Sequence, residues 1–168
     1  MLYIVRSGRD LDFRQLMDVY EESNRQWARE HYPYLSESEQ ILRTEQDMYE
    51  NLRCFFLERA SFYAIWEQDG SYVSAVRFEP YRDGMLLEAL ETKPAERKRG
   101  YAKQLVTAVL DQMHGKIYSH VDKHNHPSLA VHKDCGFEII LDHAVFIDGS
   151  ASQKSYTLYR CLQKIPQG

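Results

Sequence analysis

The chain has 168 residues, of which 43% are hydrophobic and 27% charged, and its net charge is −4. Ordinary globular usage on that length points to one domain over residues 1–168 and excludes a disordered, fibrous or collagen-like chain. The mild acidity argues against a general nucleic-acid binder or a protein of anionic membrane surfaces.

Leu2 to Val5 predicts a short strand. Asp10 can cap a helix in which Phe13, Leu16, Met17, Tyr20 and Trp27 recur at helical spacing. His31-Tyr32-Pro33-Tyr34 ends it, because proline disfavours a helical predecessor. Ser36 and Glu39 form a capping-box pattern, followed by Ile41, Met48, Leu52, Phe55 and Phe56 on one helical face. From Ser61 the period changes. Ser61 to Glu67, Tyr72 to Glu79 and Met85 to Thr92 predict an antiparallel meander, with turns at Gln68-Asp69-Gly70 and Arg82-Asp83-Gly84. Ala102, Leu105, Val106, Val109, Leu110 and Met113 mark the clearest helix, with Gly115 past its end. Lys116 to Val121 predicts a strand, and Ser128 to Asp134 a short helix between Pro127 and Gly136. Phe137 to Ile147 and Tyr156 to Leu162 predict a long final hairpin around Asp148-Gly149-Ser150. This mixed order is that of an α/β or α+β layered domain.

Cys54, Cys135 and Cys161 are scattered and form no CxxC pair, which suits reduced thiols in a cytoplasm. MLYIVRSGRD lacks the apolar core of a signal peptide, and no run approaches the ~18–20 apolar residues of a span. A cytoplasmic protein with no membrane or nucleic-acid partner is therefore expected. His114, His120, His124, His126 and His132 crowd a short stretch without a cysteine or carboxylate frame of zinc spacing, so no metal is expected.

The segment most informative about chemistry is Leu90-Glu-Thr-Lys-Pro-Ala-Glu-Arg-Lys-Arg-Gly-Tyr-Ala102. A strand ends, a polar loop follows, and a strong helix starts at Gly100. The loop holds Lys93, Arg97, Lys98 and Arg99. Cations at a helix N-terminus cost roughly 0.3–1 kcal/mol each, so four together imply an anion that the free amides also favour. Neither the P-loop pattern nor the dinucleotide fingerprint is present.

Arg97-x-x-Gly100-x-Ala102 after a strand, and Asn125, Ser128 and Gly136-Phe137 after the next one, resemble the two signatures of the GNAT acetyltransferase superfamily. The element order is similar too, so the resemblance covers nearly the whole chain. It implies a mixed, mostly antiparallel, splayed sheet of about seven strands with helices on both faces, and acetyl-CoA as co-substrate. It places the pantetheine arm along Leu90, Glu91 and Thr92, and the pyrophosphate on Arg97, Lys98, Arg99, Gly100, Tyr101 and Ala102. Asn125 and Ser128 would touch the pantetheine or phosphate side, although each also suits a helix cap or first turn.

Transfer to an alkyl amine needs a base, because at pH 7 the neutral nucleophile costs about 4–5 kcal/mol. Glu88 stands nine residues before Arg97, where parts of the superfamily place a glutamate base. Glu91 is the alternative, facing the same way only if a bulge intervenes. The superfamily often has a tyrosine four residues before the Gly of Gly-Phe to assist the leaving thiolate. Here His132 stands there, able to donate or simply to pack against pantetheine, with Tyr101 and Tyr118 as other donors. The acceptor side would draw on Trp27, His31, Tyr32, Tyr34, the loop Asp148 to Ser155 and an acidic floor containing Glu79. The expected partner is a small-molecule or peptide amine. A homodimer through the final hairpin and a non-catalytic acyl-CoA-binding module both stay open.

Overall fold

The computed structural model describes residues 1–163. In chain order its elements are β1 (Leu2–Val5), α1 (Phe13–Val19), α2 (Glu21–His31), α3 (Glu37–Phe55), β2 (Phe62–Gln68), β3 (Ser71–Tyr81), β4 (Gly84–Thr92), α4 (Tyr101–Leu110), β5 (Gly115–Asp122), α5 (His126–Asp134), β6 (Glu138–Leu141), β7 (Ala144–Val145), β8 (Ala151–Ser152) and β9 (Ser155–Leu162). Seven strands form one sheet in the order β1-β2-β3-β4-β5-β9-β6. Every neighbouring pair is antiparallel except β4 with β5.

Alternation along the strands divides the core. Ala64, Val76, Phe78 and Leu87 pack beneath α4, against Leu105, Val106, Val109 and Leu110. Tyr63, Ile65 and Ala75 point the other way, into Leu16, Val19 and Leu52 of α1 and α3. The sheet therefore carries helices on both faces. The turn residues behave as their types require: Asp69 and Arg82 take positive φ, as does Gly70.

Three expectations change. The first helix is capped by Asp12, not Asp10, and breaks at Tyr20 into α1 and α2. Tyr20 leaves helical geometry (φ −92°, ψ 12°), and its buried hydroxyl donates to the Ala89 carbonyl at 2.7 Å, so a tertiary bond sets the break. The clearest helix stops at Leu110, and Gln112 and Met113 turn back onto the carbonyls of Val109 and Leu110. The final hairpin is not continuous. β6 pairs with β9, whereas β7 and β8 form a separate two-stranded ribbon around the predicted turn. The chain bends at His143, whose carbonyl accepts from the Thr157 hydroxyl at 2.7 Å. No helix among the described residues is long and apolar enough to cross a membrane.

Candidate functional site

The site is built around a fault in the sheet. β4 and β5 pair only over Met85–Leu87 and Ile117–Ser119, and beyond that they part. Just after the split β4 bulges. Arg77 stands opposite Glu88 and Ala75 opposite Glu91, so Ala89 and Leu90 share one partner position on β3. Ala89 takes a φ of +50° there. In a regular strand Glu88 and Glu91 would face opposite ways. The extra residue turns Glu91 back to the Glu88 side, and both charges bear on buried Tyr20. Past the bulge, Glu91 and Thr92 keep their β3 partners on one edge, and from Leu90 onward the other edge is left to the cleft. An unpaired edge of this kind accepts an extended, amide-containing chain.

The cationic loop closes the mouth of this cleft. A short 3₁₀ turn over Pro94–Glu96 leads to Arg97, then to Lys98 and Gly100, which both have left-handed φ values of +62° and +80°. These two residues aim the chain so that, among the described residues, no backbone carbonyl accepts from the amides of Lys98 to Ala102. The α4 N-terminus thus presents bare N–H groups beside exposed Arg97, Lys98 and Arg99, while Tyr101 and Ala102 are half-buried behind them. In this arrangement the cations lean on acids. Arg97 bonds Glu22 of α2, Arg99 bonds Glu96 at 2.7 Å, and Lys93 lies 3.7 Å from Asp18.

On the α4–α5 side of the cleft, Asn125 caps α5 by accepting from the Ser128 amide at 3.1 Å. That cap leaves the Asn125 side-chain amide free to donate. His132 is buried. Its Nδ1 meets the Ser128 carbonyl at 2.8 Å and its Nε2 the Ser119 hydroxyl at 2.9 Å. Ser119 also lies 3.0 Å from the Leu87 carbonyl, at the last paired position before the split. Burial lowers the His132 pKa, and the Ser128 carbonyl opposes it. The Tyr118 hydroxyl donates to Asp83, in the turn before β4, at 2.7 Å.

The opposite face carries the acids. Arg77 donates through Nε and Nη2 to Glu88 Oε2, at 2.8 Å each, and lies 4.0 Å from Glu79. Burial, a hydrogen bond with Glu88 and the Glu88 charge push the Glu79 carboxyl up to about 7, against Arg77. Burial also raises Glu91, while the Ser23 hydroxyl and Arg97 draw it partly back. Tyr81, Tyr118, His120 and Phe146 form a run of edge-on rings beyond this cluster.

Trp27 stacks on His31 with ring centroids 4.1 Å apart, and Tyr32 meets Trp27 edge-on. The Tyr32 hydroxyl donates to Asp47 of α3, so its polar end is committed to that helix. Tyr34 is 79% exposed. The structure therefore groups Glu79 with Glu88, and Trp27 with Tyr32, but holds Tyr34 in no cluster. A groove of about 490 Å³ between α2 and α3 is lined by none of Glu79, Glu88 and Glu91. Among the described residues no group of three or more His, Cys, Asp or Glu side chains is arranged to hold a metal.

Tyr20, Arg77 and Ser119 escape sequence reasoning. Arg77 has a signal: counting back from the tight turn at Arg82-Asp83 sets it opposite Glu88. Tyr20 and Ser119 act through contacts 69 and 13 residues away, which no local pattern encodes.

The sequence matches the model of the Acetyltransferase (GNAT) family over residues 16–137. No curated protein matches. Solved structures share the fold at low identity. PaiA N-acetyltransferase from Thermoplasma acidophilum, in complex with coenzyme A, aligns with a TM-score of 0.65 and 12% identity over 96% of this chain and 99% of that one. Spermidine N-acetyltransferase from Vibrio cholerae, in complex with CoA and spermine, gives 0.64 and 20% over 96% and 95%. The ribosomal-protein-S18-alanine N-acetyltransferase from Escherichia coli gives 0.63 and 13% over 100% and 98%.

Proposed function

We propose that this chain, which belongs to the acetyltransferase (GNAT) family, moves an acetyl group from acetyl-CoA to a primary amine by direct attack within a ternary complex. The observation that carries this reading is the opening between β4 and β5, with a bulged free edge along one wall and bare amides among cations at its mouth. The pantetheine arm lies along Leu90, Glu91 and Thr92. The pyrophosphate sits on the amides of Lys98, Arg99, Gly100, Tyr101 and Ala102, with Arg97 released from Glu22 to meet it. Asn125 and Ser128 hold the other wall.

The acceptor enters from the face of α1 and α2, past Trp27, Tyr32 and Tyr34. Three carboxyls on β3 and β4, Glu79, Glu88 and Glu91, suit an ammonium group. Glu88 or Glu91 assists deprotonation, directly or by tuning a neighbouring carboxyl. His132 assists thiolate departure by holding the Ser119 hydroxyl, which donates a hydrogen bond to the leaving sulfur when it turns from Nε2. Structural neighbours bear the names of a spermidine and of a ribosomal-protein alanine acetyltransferase, both amine acceptors. A cytoplasmic setting fits the three free cysteines.

The test is thiol release from acetyl-CoA with a panel of alkyl amines and peptides with free N-termini, run beside Gly100→Glu. At φ +80° a side chain is strained, and a carboxylate would occupy the phosphate's place. The variant is expected to lose acetyl-CoA binding at least ~100-fold and all thiol release, a loss of roughly 3 kcal/mol. Normal affinity in that variant overturns the cleft. Binding by the wild type without thiol release for any amine leaves the binding-module alternative in its place.

A further inference from the structure

Glu79 and Glu88 lie on adjacent strands, on the face that packs against α1 and α3, with the Arg77 guanidinium beside both. The register sets Arg77 opposite Glu88 and Glu79 opposite Leu86, two residues along on the same face. Arg77 commits two of its three guanidinium nitrogens, Nε and Nη2, to one oxygen of Glu88, at 2.8 Å each, and comes only to 4.0 Å of Glu79. Glu79 is thus the carboxyl that no Arg77 hydrogen bond reaches. The two carboxyls lie beside each other on one face, where like charge disfavours the ionised form, and Glu79 is the one without a bonded cation to oppose that effect. The side chains are 25% and 23% exposed, open enough to be reached yet largely shielded from water.

The surroundings support one titrating group here. Tyr63 of β2 bears on Glu79, Glu88 and Arg77; Tyr20, at the α1–α2 junction, bears on Glu88, Glu91 and Arg77. His120 of β5 faces Glu88 and Arg82, and burial holds it below its ordinary value. Arg77 is thus the nearest cation to the pair, and it is spent on Glu88. Glu79, pushed up to about 7, is matched to proton transfer at neutral pH.

Resting on the acetyl-transfer reading above, we propose that Glu79 takes the proton from the acceptor's alkylammonium group, and that Glu88, pinned by Arg77, is the positioning residue that tunes it. An N–H bond of the ammonium breaks and its proton passes to the ionised Glu79 carboxylate. The freed lone pair forms the C–N bond at the thioester carbonyl. The C–S bond then breaks, its electrons leaving on sulfur, and a second proton shed by the nitrogen neutralises the departing thiolate.

The experiment compares Glu79→Gln and Glu88→Gln with wild type in kcat/KM against pH, using an alkylamine and an aromatic amine that is already neutral at pH 7. Retained stabilisation by acetyl-CoA reports folding of each variant. Glu79→Gln is expected to lose at least ~100-fold with the alkylamine and under ~10-fold with the aromatic amine, and to lose the acidic limb near neutrality. Glu88→Gln is expected to keep turnover with that limb moved to lower pH, because Glu79 loses its anionic neighbour. A Glu79→Gln enzyme with the wild-type profile, or one impaired equally with both amines, overturns the assignment alone. A wild type that binds acetyl-CoA but acetylates no amine overturns the functional reading and this assignment together.

Discussion

His132 shows how one residue's neighbours fix its protonation. The Ser128 carbonyl only accepts, so Nδ1 carries the ring proton and Nε2 must accept from Ser119. Ser119 then has one hydroxyl proton and two acceptors, Nε2 at 2.9 Å and the Leu87 carbonyl at 3.0 Å. Protonating His132 would release the hydroxyl to Leu87, yet burial lowers the pKa and favours the neutral ring. The sign of the linkage follows. The unfolded chain takes up a proton near pH 6.5 and the folded one only at lower pH, so this site's contribution is complete above ~6.5 and is lost as pH falls through that value. His132→Gln leaves the Ser119 and Ser128 partners poorly matched and should cost ~1–3 kcal/mol at pH 8. The gap between wild type and variant, from urea unfolding at pH 8, 6.5 and 5, should narrow toward pH 5. A constant gap would mean that His132 is not held neutral. Glu79 runs the other way. A carboxyl raised to about 7 contributes stability that is complete below ~4.5 and is lost as pH rises through 7. Glu79→Gln should therefore gain on wild type between pH 5 and pH 8 in the same unfolding series. A gain that does not grow with pH would mean that the Glu79 carboxyl is not raised by its surroundings.

At the scale of elements, α2 is the part that answers to both ends of the cleft. Its Glu22 holds Arg97 of the cationic loop, and Trp27 of the same helix stacks on His31 where the acceptor is proposed to enter. Arg97 and Glu22 are 43% and 59% exposed, so their bond is worth at most about 1 kcal/mol. A pyrophosphate must displace that carboxylate before it can use Arg97. Glu22→Gln should therefore tighten acetyl-CoA binding two- to five-fold, with a steeper salt dependence, as titration calorimetry at 50 and 200 mM salt would show. Weaker binding in the variant would mean that Glu22 orders the loop for the cofactor. The same elements show what a sequence can carry. The capping box of Ser36 and Glu39, the two tight turns and the α4 core stripe are local, and each stands where its residues predict. The two signature motifs, at Arg97 to Ala102 and at Asn125 to Phe137, are local patterns too. The break at Tyr20 and the bend at His143 are set by partners 69 and 14 residues away, so periodicity runs straight through them. The bulge falls between these cases: Glu88 and Glu91 stand out in the sequence, but only the β3 register turns them to one face.

Across the whole molecule, the sheet is two antiparallel halves joined by a short parallel seam. One half is β1 to β4 and the other is β5, β9 and β6, and among the described residues their strands pair only at Met85–Leu87 with Ile117–Ser119. Gly84, where the seam begins, admits no side chain: an added Cβ would lie 2.1 Å from the Lys116 carbonyl oxygen. The strands are thus pressed together at one end and open at the other. A pantetheine arm in the opening adds hydrogen bonds where the seam stops, so cofactor binding should stabilise the joint between the halves as well as the phosphate loop. A ligand at about 100 times its Kd adds roughly 2.7 kcal/mol, a rise in Tm of roughly 5–10 °C for a domain of this size. Acetyl-CoA and CoA should both produce it, and NADH, which has a pyrophosphate but no pantetheine arm, should not. Amide exchange should slow along Leu90 to Thr92 and in β5 past Ser119, on both sides of the opening. A shift with all three ligands would locate binding at the phosphate loop alone. A shift with none would leave the cations at the α4 N-terminus without the anion their placement requires.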